Sequence, residues 1–249
     1  VAVFFAMSCA TTIYTNLDTV MIGFIKGAGE NGYYNAAIRI KSILVSIVTS
    51  LGAVLLPRAS YYLENNLVDE FKKISAKAIN FVFIIAIPML VYFMLFANES
   101  IHFLAGDAFD NSILPMQIIM PRLLFIGLTN IMGIQMLVPL GREKCVLYSE
   151  IAGAITDLVL NAILIPFIGT SGAAIGTVAA EAVVVGVQYI CLKDEVKPIF
   201  AEIHYGLIAI ATILSTGVAL LTKMLSWHPF FILVVSAIIF FGIYALVLT

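Results

Sequence analysis

Charge is what this 249-residue sequence lacks most. Lysine, arginine, aspartate and glutamate together make up 11% of it, against 62% hydrophobic residues, and its mean hydropathy is +1.08. Soluble domains carry about 25% charged residues, and a water-soluble fold of this length would have too little polar surface to cover itself. Thirteen basic residues without a basic tract give no footprint for nucleic acid. Cysteine is scarce too. Cys9, Cys145 and Cys191 are scattered, with no metal or redox spacing, and read as small apolar residues. His102, His204 and His228 lie in separate polar segments and suggest no metal site. No Ser-His-Asp or Cys-His arrangement is supported, no cofactor is implied, and the reading is that of a protein other than an enzyme. The sequence begins at Val1 with no basic leader before its first apolar block, so it is expected to start inside a larger protein or to have been trimmed.

What the sequence has instead is apolar blocks of roughly 20 residues, the length a helix needs to cross about 30 Å of hydrocarbon. Run length and turn residues predict about eight spans: 1–25, 33–60, 78–97, 115–140, 146–168, 173–192, 205–224 and 229–249. A polar amphipathic stretch, 61–77, separates the second and third. Pro88 is expected to kink the third. A loop with Asn98, Glu99, His102, Asp107 and Asp110 precedes the fourth. The last two spans hold no internal carboxylate and no basic residue apart from Lys223 near the end of the seventh, which divides the chain into a six-helix unit, 1–192, and an appended hairpin, 193–249. The fold class expected is an all-α membrane protein, a six-helix transporter lobe plus a two-helix hairpin. Alternate loops carry Arg58, Lys72, Lys73 and Lys77, then Arg142 and Lys144, then Lys193 and Lys197, whereas the opposite set carries Lys26 and Lys223. The richer set is expected on the cytoplasmic side. Tyr33, Tyr34, Tyr61, Tyr62 and Trp227 suit an aromatic belt at the interfaces.

Charges inside the spans are the candidates for function. Asp18, Arg39, Lys41, Arg122, Glu150, Asp157 and Glu181 all fall there, and each costs about 2.5–3.5 kcal/mol near the bilayer centre even on a lenient scale. They must line a wet cavity, pair with one another or lie near a surface. Helix rise puts Asp18, Arg39 and Arg122 at a similar depth, roughly 10–12 Å below the outer surface, so a shared layer of one carboxylate and two guanidinium groups is expected. An Asp18–Arg39 ion pair that locks the hairpin is the alternative role. Asn35 and Arg39 share a face at i, i+4. Lys41, two positions on, points elsewhere and either lines the pathway or snorkels outward. Glu150, Asp157 and Asn161, offset by seven and four, share one face of the fifth span, with Gly153 and Ala154 beside them. Glu150 is either a cavity group or solvated at the cytoplasmic end. Asp157 and Glu181 either take up and release a proton during transport or make interhelical hydrogen bonds as protonated acids. Gly169, Gly172 and Gly176 read as a tight turn and helix contact.

Several motifs follow one another along the chain: Leu17-Asp18-Thr19-Val20-Met21-Ile22-Gly23, Gly32-Tyr33-Tyr34-Asn35-Ala36-Ala37 with Arg39, and Leu55-Leu56-Pro57-Arg58. They continue with Pro139-Leu140-Gly141-Arg142-Glu143-Lys144, Leu160-Asn161 before Ile165-Pro166, and Gly172-Ala173-Ala174-Ile175-Gly176-Thr177 with Glu181. In this order they resemble the polysaccharide-type flippases of the multidrug/oligosaccharidyl-lipid/polysaccharide exporter superfamily, C-terminal half. The resemblance implies two six-helix lobes that rock about a central cavity, of which this chain is the second, its N-terminal partner lobe being missing. It implies an undecaprenyl-diphosphate-linked oligosaccharide as substrate, moved from the cytoplasmic to the external leaflet of a bacterial cell membrane for surface polysaccharide such as O-antigen. Arg39 and Arg122 would then contact the diphosphate or an acidic sugar, and Asp18 would hold or release Arg39. Asp157, Asn161 and Glu181 would bond sugar or bind a coupling proton or sodium ion. A multidrug or organic-cation antiporter of the same superfamily would prefer an acidic cavity, while the buried cations here favour an anion. A peptidoglycan-precursor flippase shares the anionic lipid head. A membrane-embedded glycan polymerase or transferase would need a reactive constellation on larger loops.

Overall fold

The protein is described by a computed structural model covering residues 2–225 and 227–248, with the side chains of 2–10, 13, 14 and 53 outside the described set. Val1 and Thr249, the outer limits of the first and eighth spans, and the side chain of Cys9 therefore lie outside it.

The elements follow the apolar blocks. Helix α1 (Ala2–Lys26) turns at Gly27, whose φ of +91° favours glycine, into α2 (Ala28–Glu64). At 37 residues α2 is about 55 Å long, so it runs past the hydrocarbon and takes up part of the polar stretch expected between the second and third spans. Asn65–Leu67 is the whole turn, and α3 (Val68–Leu95) begins ten residues before the expected third span. The amphipathic stretch is thus the protruding ends of two helices. Pro88 sits buried in α3, and no non-helical dihedral marks it.

Two segments depart from the reading above. The loop expected before the fourth span is helical: α4 (Ala97–Ala105) and a 3₁₀ turn, Asp107–Ser112. The fourth span itself is broken. Helices α5 (Ile113–Ile119) and α6 (Arg122–Thr129) flank Pro121, the chain bends by 48° there, and a π-helical segment, Asn130–Leu137, completes it. Proline removes a ladder N–H and its ring crowds the preceding turn, so the sequence carried the cause of this bend.

Next comes α7 (Glu143–Cys191), 49 residues of helix folded back on itself at Ile168–Gly169, where Gly169 takes φ +56°, ψ −132°. Its cross-contacts have a nearly constant index sum, as an antiparallel pair requires: Leu164 meets Gly172, Asn161 meets Gly176, and Ser149 accepts from Gln188 at 3.2 Å. The arms, residues 143–167 and 170–191, are the fifth and sixth spans. The short α8 (Lys193–Glu202) precedes the closing pair, α9 (Tyr205–Leu220) and α10 (Pro229–Leu248).

Among the described residues five helices are long and apolar enough to cross a membrane and the bent pair makes a sixth. The folded α7 counts as two, and α1 adds another rod of 25 residues. The protein is an all-α, multi-pass membrane protein. Arg142 pairs with Glu195 at 3.0 Å, and Lys77, Glu202 and His204 line one hollow, so the basic loops gather at one end of the bundle. At the other end Lys223 bonds Glu99 at 3.1 Å and the Leu95 carbonyl at 2.6 Å. The α9–α10 pair is pinned to α3 along its length: Tyr92 donates to the Leu233 carbonyl and Tyr244 to the Ile84 carbonyl, each at 2.8 Å.

Candidate functional site

The inward stripe of α2 explains the site. Tyr34, Ala37, Lys41, Leu44 and Val48 recur at helical spacing and are all buried. Tyr34 and Lys41, seven residues apart, therefore lie on one face and look toward α1, α6 and α7. Asn35 and Arg39 lie on the next face round.

At the Tyr34 level α1, α2 and the two arms of α7 deliver a closed polar cluster. Asp18 of α1, 1% exposed, accepts from the Tyr34 hydroxyl and from the Thr177 hydroxyl, each at 2.7 Å. Its other oxygen accepts from the Asn161 amide at 2.8 Å, and that amide also donates to Asp157 at 3.1 Å. The two carboxyls are thus held side by side by one amide. Asn161 reaches both carboxyls because Gly176 has no side chain: a Cβ there would stand 2.4 Å from the Asn161 Oδ1. Two oxygens inside the cluster, Asp157 Oδ1 and Asn161 Oδ1, are buried and accept no hydrogen bond.

One to two helical turns away lies a cavity of about 370 Å³, lined by Lys41, Arg122, Thr129, Glu150, Glu181 and Gln188, with Thr11 and Thr15 at α1. The bend at Pro121 sets Arg122 at the start of α6, where it is 3% exposed and aimed inward. Its Nε donates to Glu181 Oε2 at 3.2 Å, while the Thr129 hydroxyl donates to Glu181 Oε1 at 3.1 Å. Thr11 donates to Glu150 at 3.4 Å. Lys41 and Asp157 are both within electrostatic reach of Arg122 and Asp18, which joins the cavity to the cluster. Together the two hold the carboxyls of Asp18, Asp157, Glu150 and Glu181 against two cations.

The expected layer of Asp18, Arg39 and Arg122 does not form. Arg39 is exposed and lines a separate groove of about 600 Å³ with Asn35, Leu104 and Phe109, on the far side of α2 from Arg122. Asn35 donates to the Asn31 carbonyl at 2.8 Å. Asp18 is held by Tyr34, Thr177 and Asn161, so the Asp18–Arg39 ion pair is also absent. Lys41 takes the place reserved for Arg39: it is 9% exposed and faces the cavity rather than snorkelling. Helical phase decides this, since equal depth does not mean equal direction. The Arg39 groove shares Ile40, Ile43 and Leu104 with an apolar furrow of about 320 Å³ between α2, α3, α4 and α10.

Tyr34 was expected in an interfacial belt, yet it is fully buried as a donor to Asp18. Its heptad relation to Lys41 was the signal available. Thr129, and Thr177 beyond its place in a motif, were given no site role because a lone threonine in an apolar run looks like any β-branched residue. Glu150 lines the cavity and is not at a solvated helix end. Cys145 and Cys191, read as unrelated, meet across the open end of the α7 hairpin. Among the described residues no group of three or more His, Cys, Asp and Glu side chains is placed to hold a metal ion.

Comparison with known proteins extends this picture. Residues 1–114 match a family model described as "Polysaccharide biosynthesis protein". Over 190 residues the chain is 26% identical to the "Putative O-antigen transporter" of Escherichia coli K12, covering 76% of this chain and 46% of that protein. Over 207 residues it is 22% identical to the "Probable low-salt glycan biosynthesis flippase Agl15" of Haloferax volcanii, covering 82% and 43%. Among solved structures, "Lipid II flippase MurJ, inward closed conformation" superposes with a TM-score of 0.82 at 16% identity, over 97% of this chain and 51% of that one. The chain spans about half the length of the curated relatives it matches. It is similar to these proteins over most of its own extent, and its fold matches about half of that flippase structure.

Proposed function

We propose, from this relationship, that the chain is one lobe of a flippase that carries lipid-linked oligosaccharide across a bacterial cytoplasmic membrane by alternating access. A second lobe of similar size completes the pathway, and the substrate is an undecaprenyl-diphosphate-linked sugar unit bound for the external leaflet. The carrying observation is the cavity itself, in which Lys41 and Arg122 face one hollow of about 370 Å³ at membrane depth. That volume falls within the range of ligand pockets; Lys41 and Arg122 offer charged donors to an anionic head there, and Glu150 and Glu181 on the same wall are the carboxylates such a head meets beside them. The furrow between α2 and α10 suits a polyprenyl chain, and Arg39 at its continuation suits a phosphate near the end of that chain. Replacing Lys41 and Arg122 together by glutamine in the complete protein is expected to abolish surface-glycan export while membrane levels persist. Normal export by that double variant would refute the reading.

The Asp18 cluster supports a second element, coupling to a proton or sodium ion. Four carboxyls against two cations leave the buried region short of positive charge, and burying unbalanced charge is expensive. The unpartnered oxygens of Asp157 and Asn161, beside Asp18 and the Thr177 hydroxyl, are hard oxygen donors suited to a small cation. Asp18→Asn and Asp157→Asn are expected to remove the dependence of export on the sodium or proton gradient. Export that still follows either gradient in both variants would remove this element.

A further inference from the structure

We propose that Glu181 is a built-in stand-in for the substrate's phosphate, occupying Arg122 in the unloaded lobe and surrendering it when an anionic head enters the cavity. This rests on the reading of the Lys41–Arg122 cavity as an anion site and names the residue that regulates it. The two cations there are held differently. Arg122 is already engaged by a carboxylate: its Nε lies 3.2 Å from Glu181, with both side chains under a tenth exposed. Lys41 lines the same hollow, and among the described residues no carboxylate lies within ion-pair distance of it. An entering phosphate therefore meets Lys41 first and then competes with Glu181 for the guanidinium, whose fork of donors fits carboxylate and phosphate alike.

The stand-in is tethered in a way that suits exchange. Thr129 donates to the second Glu181 oxygen at 3.1 Å, so a displaced carboxylate keeps a neutral partner on α6. Glu181 also lies one helical turn beyond Thr177 on the second arm of α7, and Thr177 donates to Asp18 at 2.7 Å. Residues four apart on a helix share a face. Displacing Glu181 thus acts on the arm that closes the Asp18 cluster, which gives anion entry and cation binding a common rigid element. A ligand shifts such an equilibrium only by its differential affinity for the two states, and here the competing anion supplies that difference.

The test uses inorganic pyrophosphate as probe, titrated calorimetrically into the complete protein purified in detergent. Glu181→Gln removes the competing charge and is expected to tighten binding at least tenfold. Thr129→Val loosens the tether with the charge kept and is expected to tighten it a few-fold, which covers the case in which Glu181→Gln fails to fold. Lys41→Gln and Arg122→Gln are expected to weaken binding at least tenfold. If the two cation variants weaken binding while Glu181→Gln and Thr129→Val leave it unchanged or weaker, the stand-in is refuted and the anion cavity survives. No binding by either the parent or Glu181→Gln overturns both.

Discussion

Substituting Gly176 by alanine tests the Asp18 cluster without touching any group that bonds the carboxyls. The new Cβ would stand 2.4 Å from the Asn161 Oδ1 and 3.2 Å from its Cγ, where ordinary contact begins near 3.4 Å. The amide side chain must retreat by about 1 Å, because the backbone of the α7 hairpin is fixed by close packing on either side. Its bonds of 2.8 Å to Asp18 and 3.1 Å to Asp157 then pass beyond useful length. A hydrogen bond to a charged group contributes about 1.5–3 kcal/mol in water-soluble proteins, and interhelical bonds in membranes average nearer 0.6 kcal/mol. Losing two should therefore cost about 1–3 kcal/mol, or roughly five- to a hundredfold in affinity for an ion held by the cluster. The assay is the thermal unfolding midpoint of the purified complete protein, titrated with sodium at constant ionic strength and repeated across pH. Gly186→Ala, at a position with open space around it, is the control. If Gly176→Ala titrates like its parent and like the control, Asn161 does not organise an ion site.

Three further outcomes are expected. Gly169→Ala forces a side chain into φ +56°, ψ −132°, a region held almost entirely by glycine, and places its Cβ 3.1 Å from Glu30 Oε2; it should cost about 1–3 kcal/mol, read as a lower unfolding midpoint, and an unchanged midpoint would mean that the hairpin turns elsewhere. Lys223→Ala deprives Glu99, 7% exposed, of its cation while the other Glu99 oxygen already lacks a partner. Because Lys223 itself is one-third exposed, the loss should sit at the lower end of about 1–3 kcal/mol and increase protease cleavage between α9 and α10. Mild oxidation should join Cys145 to Cys191, detected by mass spectrometry as a linked peptide pair; failure to cross-link would contradict the register of the α7 arms.

Much of this architecture was legible in the sequence because the bilayer imposes its own arithmetic. With no water to satisfy backbone groups, an apolar run of some 20 residues can only be a helix. The Gly169–Gly172 turn, the shared face of Asp157 and Asn161, and the close approach at Gly153, where a Cβ would meet Val184 at 2.5 Å, all follow from local chemistry and helical period. Depth could also be counted along each rod. Direction could not be counted so simply, since a 100° step per residue turns Lys41 and Arg39 to opposite sides of α2. The heptad from Tyr34 to Lys41 would have resolved it had the inward stripe been drawn first.

Sequence by itself determined that this chain crosses a membrane many times and buries charges too costly to face lipid. Only the tertiary structure decided how those charges are shared out: Asp18 with Asp157 under Asn161 and Thr177, and Arg122 with Glu181 beside Lys41. The reason is that partner choice depends on the rotation of each helix about its own axis and on the 48° bend at Pro121. Those quantities are fixed by packing among helices far apart in the chain, not by any local run of residues.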